Sequence, residues 1–201
     1  MNIGIDVDGV ILNTEELLSI YAEIYDIETF KKDNLTNPFE YYQEKKYSWD
    51  ESHCKEFLST SILDATWNSS FLTGAILVIK KLKRLGHKLI IISARGTDYP
   101  EVLDFLENRF KENGLVFDKL YWKTKDKLSV CKAENIDIMI DDRTKTCLTL
   151  SENNIHAFYF KNESRIKLED NKYLTTVKNW GEIYKKIILL DQNKKINWQI
   201  Y

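Results

Sequence analysis

Short apolar runs recur along the chain, and between them apolar residues fall at helical spacing. Residues 3–7 (IGIDV) form one such run, which meets acidic residues at its end, and residues 88–93 (KLIIIS) form a nearly continuous one. Residues 116–122 are a weaker run, 136–140 (IDIMI) again lead into carboxylates, 155–160 (IHAFYF) follow, and 173–177 are a sixth candidate. Runs that are apolar on both faces predict strands of a parallel sheet covered by helices on each side. Helical spacing is clearest at 75–85 (AILVIKKLKRL), with Gly86 as its stop, and at 99–113, with Pro100 in the first turn and Gly114 just past the end. Residues 127–134 and 144–153 predict shorter helices, and 180–190 (WGEIYKKIILL) a closing one with Asn179 as N-cap. The alternation predicts an α/β fold, a doubly wound and mostly parallel sheet.

Residues 13–72 break the alternation. Residues 13–25 read as a helix with Leu17, Leu18, Tyr21, Ile24 and Tyr25 along one side; 48–59 read as a second, and 64–67 precede a turn. The segment is rich in aromatic residues, among them Phe39, Tyr41, Tyr42, Tyr47, Trp49 and Trp67. The division expected is an α/β core made of 1–12 and 73–201, with 13–72 as a small helical cap subdomain inserted after the first strand. Such an insert can cover a site, and its aromatic residues can also fill a core of its own.

Composition narrows the classes. The chain has 201 residues, of which 43% are hydrophobic and 30% charged, with 2 Pro and 7 Gly. That is the balance of one globular core with a modest insert. A formal net charge of −2 gives no global pull toward nucleic acid or anionic lipid, so neither a stable nucleic-acid partner nor a membrane is expected. No apolar run approaches the ~20 residues that span a bilayer, and the first residues lack a basic stretch of the signal-peptide type. Cys54, Cys131 and Cys147 form no Cys-x-x-Cys pair. Free thiols in a reducing cytoplasm are the expected setting.

The candidate chemistry lies at the strand ends. Asp6-Val7-Asp8-Gly9 closes the first strand, and alternation lets Asp6 and Asp8 share a direction while Val7 turns away. Ligands of open α/β sheets bind at that edge, beside the point where strand order reverses. Asp141-Asp142 closes the fourth strand, so four carboxylates can converge on one rim. Carboxylates held close raise each other's pKa unless a cation sits among them. Such oxygen ligands suit a hard divalent ion, and few protein ligands plus water favour Mg²⁺. Ser93-Ala94-Arg95-Gly96 follows the second strand and offers a hydroxyl and backbone N–H groups to phosphate oxygens. Lys123, Lys125 and Lys127 open the helix before the fourth strand, where a lysine can neutralise an incoming phosphate.

In order and spacing, Asp6-Val7-Asp8-Gly9-Val10, Ser93, a lysine before the fourth strand and Ile140-Asp141-Asp142-Arg143 resemble the four motifs of haloacid dehalogenase-like (HAD) phosphohydrolases. The insert resembles the helical cap of subclass I. Thr124-Lys125-Asp126-Lys127 and Ile140-Asp141-Asp142-Arg143 are similar to the 5′(3′)-deoxyribonucleotidase group and its bacterial nucleotidases. The resemblance implies a Mg²⁺-dependent phosphomonoesterase acting on a small phosphorylated substrate of nucleotide type. Asp6 would be the nucleophile, forming an aspartyl-phosphate, and Asp8 the general acid and base, with a raised pKa. Asp6, the main-chain carbonyl of Asp8, Asp141 and Asp142 would hold Mg²⁺. Ser93, the backbone at Ala94 and Lys127 would clamp the phosphoryl group, with Lys125 in reserve.

Specificity would rest on Arg95, for a second phosphate or a carboxylate unless it merely ties down its loop, and on Phe39, Tyr41, Tyr42 or Trp49, which could stack on a base. Ser-x-Arg also resembles phosphatase domains that act on polynucleotide ends. Another small phosphate ester, or a non-catalytic module of the same fold, are the other readings. A receiver-type signalling domain fits poorly, because Asp-x-Asp stands at strand one and a long insert follows it.

Overall fold

The computed structural model describes residues 1–40, 42–97, 99–161 and 166–198. Its strands are β1 (Asn2–Ile5), β2 (Lys88–Ile92), β3 (Lys119–Tyr121), β4 (Ile138–Asp141), β5 (His156–Phe160) and β6 (Leu174–Val177). They form one sheet in the order β3-β2-β1-β4-β5-β6, and every pairing is parallel. β1 sits in the middle: Ile3 pairs with Leu89 on one side and with Ile138 on the other.

The helices are α1 (Thr14–Phe30), α2 (Glu51–Asn68), α3 (Ala75–Arg84), α4 (Val102–Glu112), α5 (Lys127–Ala133), α6 (Thr144–Glu152) and α7 (Trp180–Trp198). Ile3, Ile5, Leu89, Ile91, Ile138, Ile140 and Phe158 form one buried layer with apolar residues of α3, α4 and α7. The alternate residues Ile90, Ile92, Met139, Ala157 and Tyr159 form a second layer with Cys131, Cys147 and Leu150 from α5 and α6. Both faces of the central strands are therefore covered, which is why these segments read as unbroken apolar runs. Among the described residues no helix is long and apolar enough to cross a membrane.

Between β1 and α3 the chain builds a separate cluster. α1 and α2 pack around Ala22, Tyr47, Trp49 and Phe57, with Tyr25, Phe30 and Leu58 at its margin. Trp49 lies at its centre, stacked on Tyr47 with ring centroids 4.5 Å apart, and its Nε1 donates to Asp26 at 2.6 Å. The expectation that Trp49 faces a ligand is thus corrected: its ring is consumed by packing. α2 also runs on past 59, where its end was expected, to Asn68, so that 64–67 form its last turn. It buries only Phe57, Ala65 and Thr66, so its sequence shows little apolar periodicity. Asp50 caps it by accepting from the backbone N–H groups of Ser52 and His53. Two backbone hydrogen bonds, Asn13 N–H to Ser70 O and Leu72 N–H to Ile11 O, both 2.8 Å, tie the two crossing segments together.

Candidate active site

The strand order reverses between β1 and β4, since β2 and β3 lie to one side of β1 and β5 and β6 beyond β4. The backbone N–H of Asp6 donates to Ile140 O at 3.0 Å, continuing the ladder one residue past β1. That bond brings Asp6 beside Asp141, the last residue of β4. Beyond Asp8 the chain turns back at once: Ile11 and Leu12 N–H both donate to Val7 O, at 2.9 and 3.0 Å. Gly9 permits the turn with a φ of 65°, and a Cβ there would lie 2.3 Å from Asp142 Oδ2. The first-strand loop and the second acidic pair are packed that closely.

Carboxylate oxygens of Asp6, Asp141 and Asp142 all lie within 4.8 Å of one another, and all three residues are buried. Lys127 Nζ reaches into the group, 2.6 Å from Asp6 Oδ2 and 2.7 Å from Asp141 Oδ2. Three carboxylates thus crowd one ammonium. That surplus of hard oxygen donors fits a divalent cation of the Mg²⁺ class. Burial pushes the Asp6 carboxyl up to about 6, against the pull of Lys127, with Asp141 and Asp8 adding to the rise. For Lys127 burial favours the neutral amine, but Asp141 and Asp6 outweigh it and hold the ammonium charged. Of the two candidate lysines, Lys127 is the one built into the cluster, whereas Lys125 is an exposed residue on the cleft wall.

Asp8 departs from expectation. Burial alone would raise its pKa, yet the net displacement is downward, because Arg95 faces it. Arg95 Nε donates to Asp8 Oδ2 at 2.9 Å, a terminal guanidinium nitrogen contacts Oδ1, and Thr14 Oγ1 donates to Oδ1 at 2.7 Å. The expected crowding by acids is replaced by an ion pair across 87 positions of sequence. Of the roles open to Arg95, the contacts show the tying one: its fork holds Asp8 and donates to Thr66 Oγ1 at 2.8 Å.

Ser93 is buried at the end of β2. Its N–H donates to Tyr121 O and its carbonyl accepts from Thr124 N–H, both at 2.9 Å, which fixes the loop. Ser93 and Ala94 line the cleft with Asp6, Asp8 and Lys127. The cleft has a volume of about 800 Å³, and Leu18, Leu58 and Ile62 of α1 and α2 form an apolar wall. Tyr42 lines it too, but Lys45 Nζ stands 4.8 Å and the Arg143 guanidinium 5.3 Å from its ring centroid. With two cations on the ring and Arg143 donating to its hydroxyl at 2.8 Å, Tyr42 is a poor stacking platform. Tyr41 lies outside the described residues, and Phe39 is exposed away from the cleft lining. Sequence reasoning missed Thr14, Gln43 and Thr66. They are polar residues in or beside helices, and no spacing marks them.

No family model matches the chain, and no curated protein does. Solved structures do. A predicted phosphoglycolate phosphatase from Haemophilus somnus 129PT is 11% identical with a TM-score of 0.64, over 92% of this chain and 97% of that one. A predicted phosphatase from Clostridium acetobutylicum is 17% identical with a TM-score of 0.60, over 93% and 98%. A HAD-superfamily hydrolase, subfamily IA, from Geobacter sulfurreducens PCA is 12% identical with a TM-score of 0.57, over 92% and 97%. The chain has the fold of these hydrolases.

Proposed function

We propose that the protein is a Mg²⁺-dependent phosphomonoesterase that works through a phosphorylated Asp6, with a small phosphate ester of the nucleotide class as substrate. The observation that carries this reading is Asp6, buried at the point where strand order reverses and flanked by Lys127, Asp141 and Asp142. The fold the chain shares with two predicted phosphatases supports it. A cleft of about 800 Å³ falls within the usual size of a small-molecule site.

Asp6, the main-chain carbonyl of Asp8, Asp141 and Asp142 would hold the metal. Mg²⁺, when bound, supplies positive charge that offsets repulsion between carboxylates and phosphate. Ser93 Oγ, the backbone at Ala94 and Lys127 orient the phosphoryl oxygens. A carboxylate oxygen of Asp6 attacks phosphorus as the ester P–O bond breaks, and Asp8 gives a proton to the departing oxygen. Water then attacks the aspartyl-phosphate, Asp8 takes its proton, and phosphate leaves with Asp6 restored. The Arg95 pair keeps Asp8 ionised at the outset, which suits the base role. The acid role requires that pair to open, as an incoming phosphoryl anion competes for the guanidinium, and Asp8 then to take up a proton from solvent before the ester bond breaks. Residues 13–72 act as the cap and exclude water from the cleft.

The experiment is a phosphatase assay with and without Mg²⁺. Its substrates are nucleoside monophosphates, sugar phosphates, 3′-phosphorylated oligonucleotides and an aryl phosphate. Turnover that needs Mg²⁺ and prefers nucleotides is the expected result. A preference for sugar phosphates would remove the nucleotide assignment and leave the chemistry, and no turnover of any ester would end both.

A further inference from the structure

α1 carries two apolar stripes. One, with Leu18, Tyr21, Ala22 and Tyr25, packs into the small core that α1 shares with α2. The other runs through Leu17, Ile20, Ile24 and Ile27. At about 100° per residue, its centre lies on the opposite side of the helix from Ala22. Ile20 and Ile24 are each 46% exposed and Ile27 is 53% exposed. A single exposed isoleucine needs no account, but a line of them along one face does. Isoleucine at a solvent-facing helix position gives up helix propensity and leaves apolar area in water. The core of the insert explains the first stripe and not the second.

Steps of three, four and three residues separate the members of this second stripe. That is the spacing of a helix–helix seam, and it reads the same in both directions. A second α1 laid antiparallel sets Leu17 against Ile27 of the partner subunit and Ile20 against the partner's Ile24. The two-fold axis then lies level with Ala22. The charges select the same direction. Glu15 and Glu16 stand in the first turn, α1 has no lysine or arginine, and Lys31 and Lys32 follow its end. Lys31 is exposed, one turn beyond Ile27, and its ammonium has no partner among the described residues. Antiparallel packing brings the partner's Lys31 beside Glu16 at both ends of the seam, whereas parallel packing opposes acid to acid and lysine to lysine. An anionic lipid surface is repelled by Glu16, Glu23 and Glu28, which flank the stripe.

We infer that the exposed face of α1 is a docking surface for a second copy of this chain, with the two α1 helices antiparallel and each Glu16 paired with the partner's Lys31. A contact of one patch with itself closes and gives a dimer rather than a filament. One helix face per subunit buries less than a standard interface, so the dimer is a weak one. Glu23 weakens it further, because it lies beside the two-fold axis and meets its own copy there. The inference does not depend on the phosphatase reading.

The test is sedimentation velocity on the whole chain from about 1 to 200 µM, with no substrate present. The wild-type sedimentation coefficient should rise with concentration, with a dimer dissociation constant on the order of 10–100 µM. Ile24→Gln changes an exposed position and should weaken the dimer about tenfold or more. Lys31→Glu should weaken it by about threefold or more, since it opposes like charges at both ends. Adding Glu16→Lys to Lys31→Glu should restore the wild-type constant, and Glu23→Gln should tighten it. A wild-type protein that stays monomeric throughout overturns the inference. So does a dimer that Ile24→Gln leaves intact, which would place the contact on another surface. A double charge variant as weak as Lys31→Glu alone overturns the antiparallel pairing. If Ile24→Gln fails to fold, the charge series decides by itself.

Discussion

Arg95 grips Asp8 and α2 at once: its Nε lies 2.9 Å from Asp8 Oδ2, and its Nη1 donates to Thr66 Oγ1 at 2.8 Å. One guanidinium thus joins the loop after β2, the loop after β1 and the helix that roofs the cleft. Lysine cannot serve three acceptors in that planar geometry. Arg95→Lys should lower kcat roughly ten- to hundredfold through a misplaced Asp8, with a smaller change in KM. Steady-state kinetics on an aryl phosphate checks this, and an unchanged kcat would show that the contact does not position Asp8.

Lys127 is buried between Asp6 and Asp141. Removing one partner of a buried ionic cluster leaves the others without compensation, at about 3–5 kcal/mol. Lys127→Met should lose about that much stability in urea unfolding, and phosphatase activity with it. Lys125→Met, at an exposed position, should unfold like wild type. Equal urea midpoints for the two variants would remove the cluster role assigned to Lys127.

Metal binding should be visible without turnover. A cation that binds the folded chain and not the unfolded one raises Tm by mass action. Mg²⁺ should therefore raise the Tm of wild type, and Asp142→Asn should shrink that shift, since its oxygen lies within 4.8 Å of those of Asp6 and Asp141. A full shift in Asp142→Asn would take this residue out of the metal set.

The α/β alternation, the parallel sheet and the meeting of Asp6 with Asp141 and Asp142 were legible in the chain. They follow from apolar runs that end in carboxylates. What was not legible is instructive. Asp8 and Arg95 meet through the sheet edge, and no local spacing announces a pair 87 residues apart, so Asp8 looked acid-crowded when it is salt-bridged. Trp49 looked like a binding aromatic because composition does not say which rings fill a small core. Gln43 carried no signal, because a single amide in a polar stretch has no periodicity.

Asp26 supplies a pH dependence. It is buried on α1 within the helical insert and accepts from Trp49 Nε1 at 2.6 Å, Asn34 N–H at 2.9 Å and Asn34 Nδ2 at 2.8 Å. Burial raises its pKa, but these hydrogen bonds outweigh burial and leave it below the ordinary value. A carboxyl depressed in the folded state adds stability above its unfolded pKa of about 4, and loses it as pH falls through the folded value. Tryptophan fluorescence should report loosening around Trp49 below about pH 4. Asp26→Asn should be less stable at neutral pH and show a flatter acid limb. Identical acid profiles would mean that the carboxylate is not what anchors Trp49.

The decisive measurement is the capture of phosphate on the protein. The chain is mixed with Mg²⁺ and a phosphate-labelled ester, quenched in acid and digested. Label should appear on the peptide that contains Asp6, be released by hydroxylamine, and be absent from Asp6→Asn, whose turnover should fall on the order of 10³-fold or more. Label on a different residue, or an Asp6→Asn protein that hydrolyses the ester at the wild-type rate, would contradict phosphoryl transfer through Asp6.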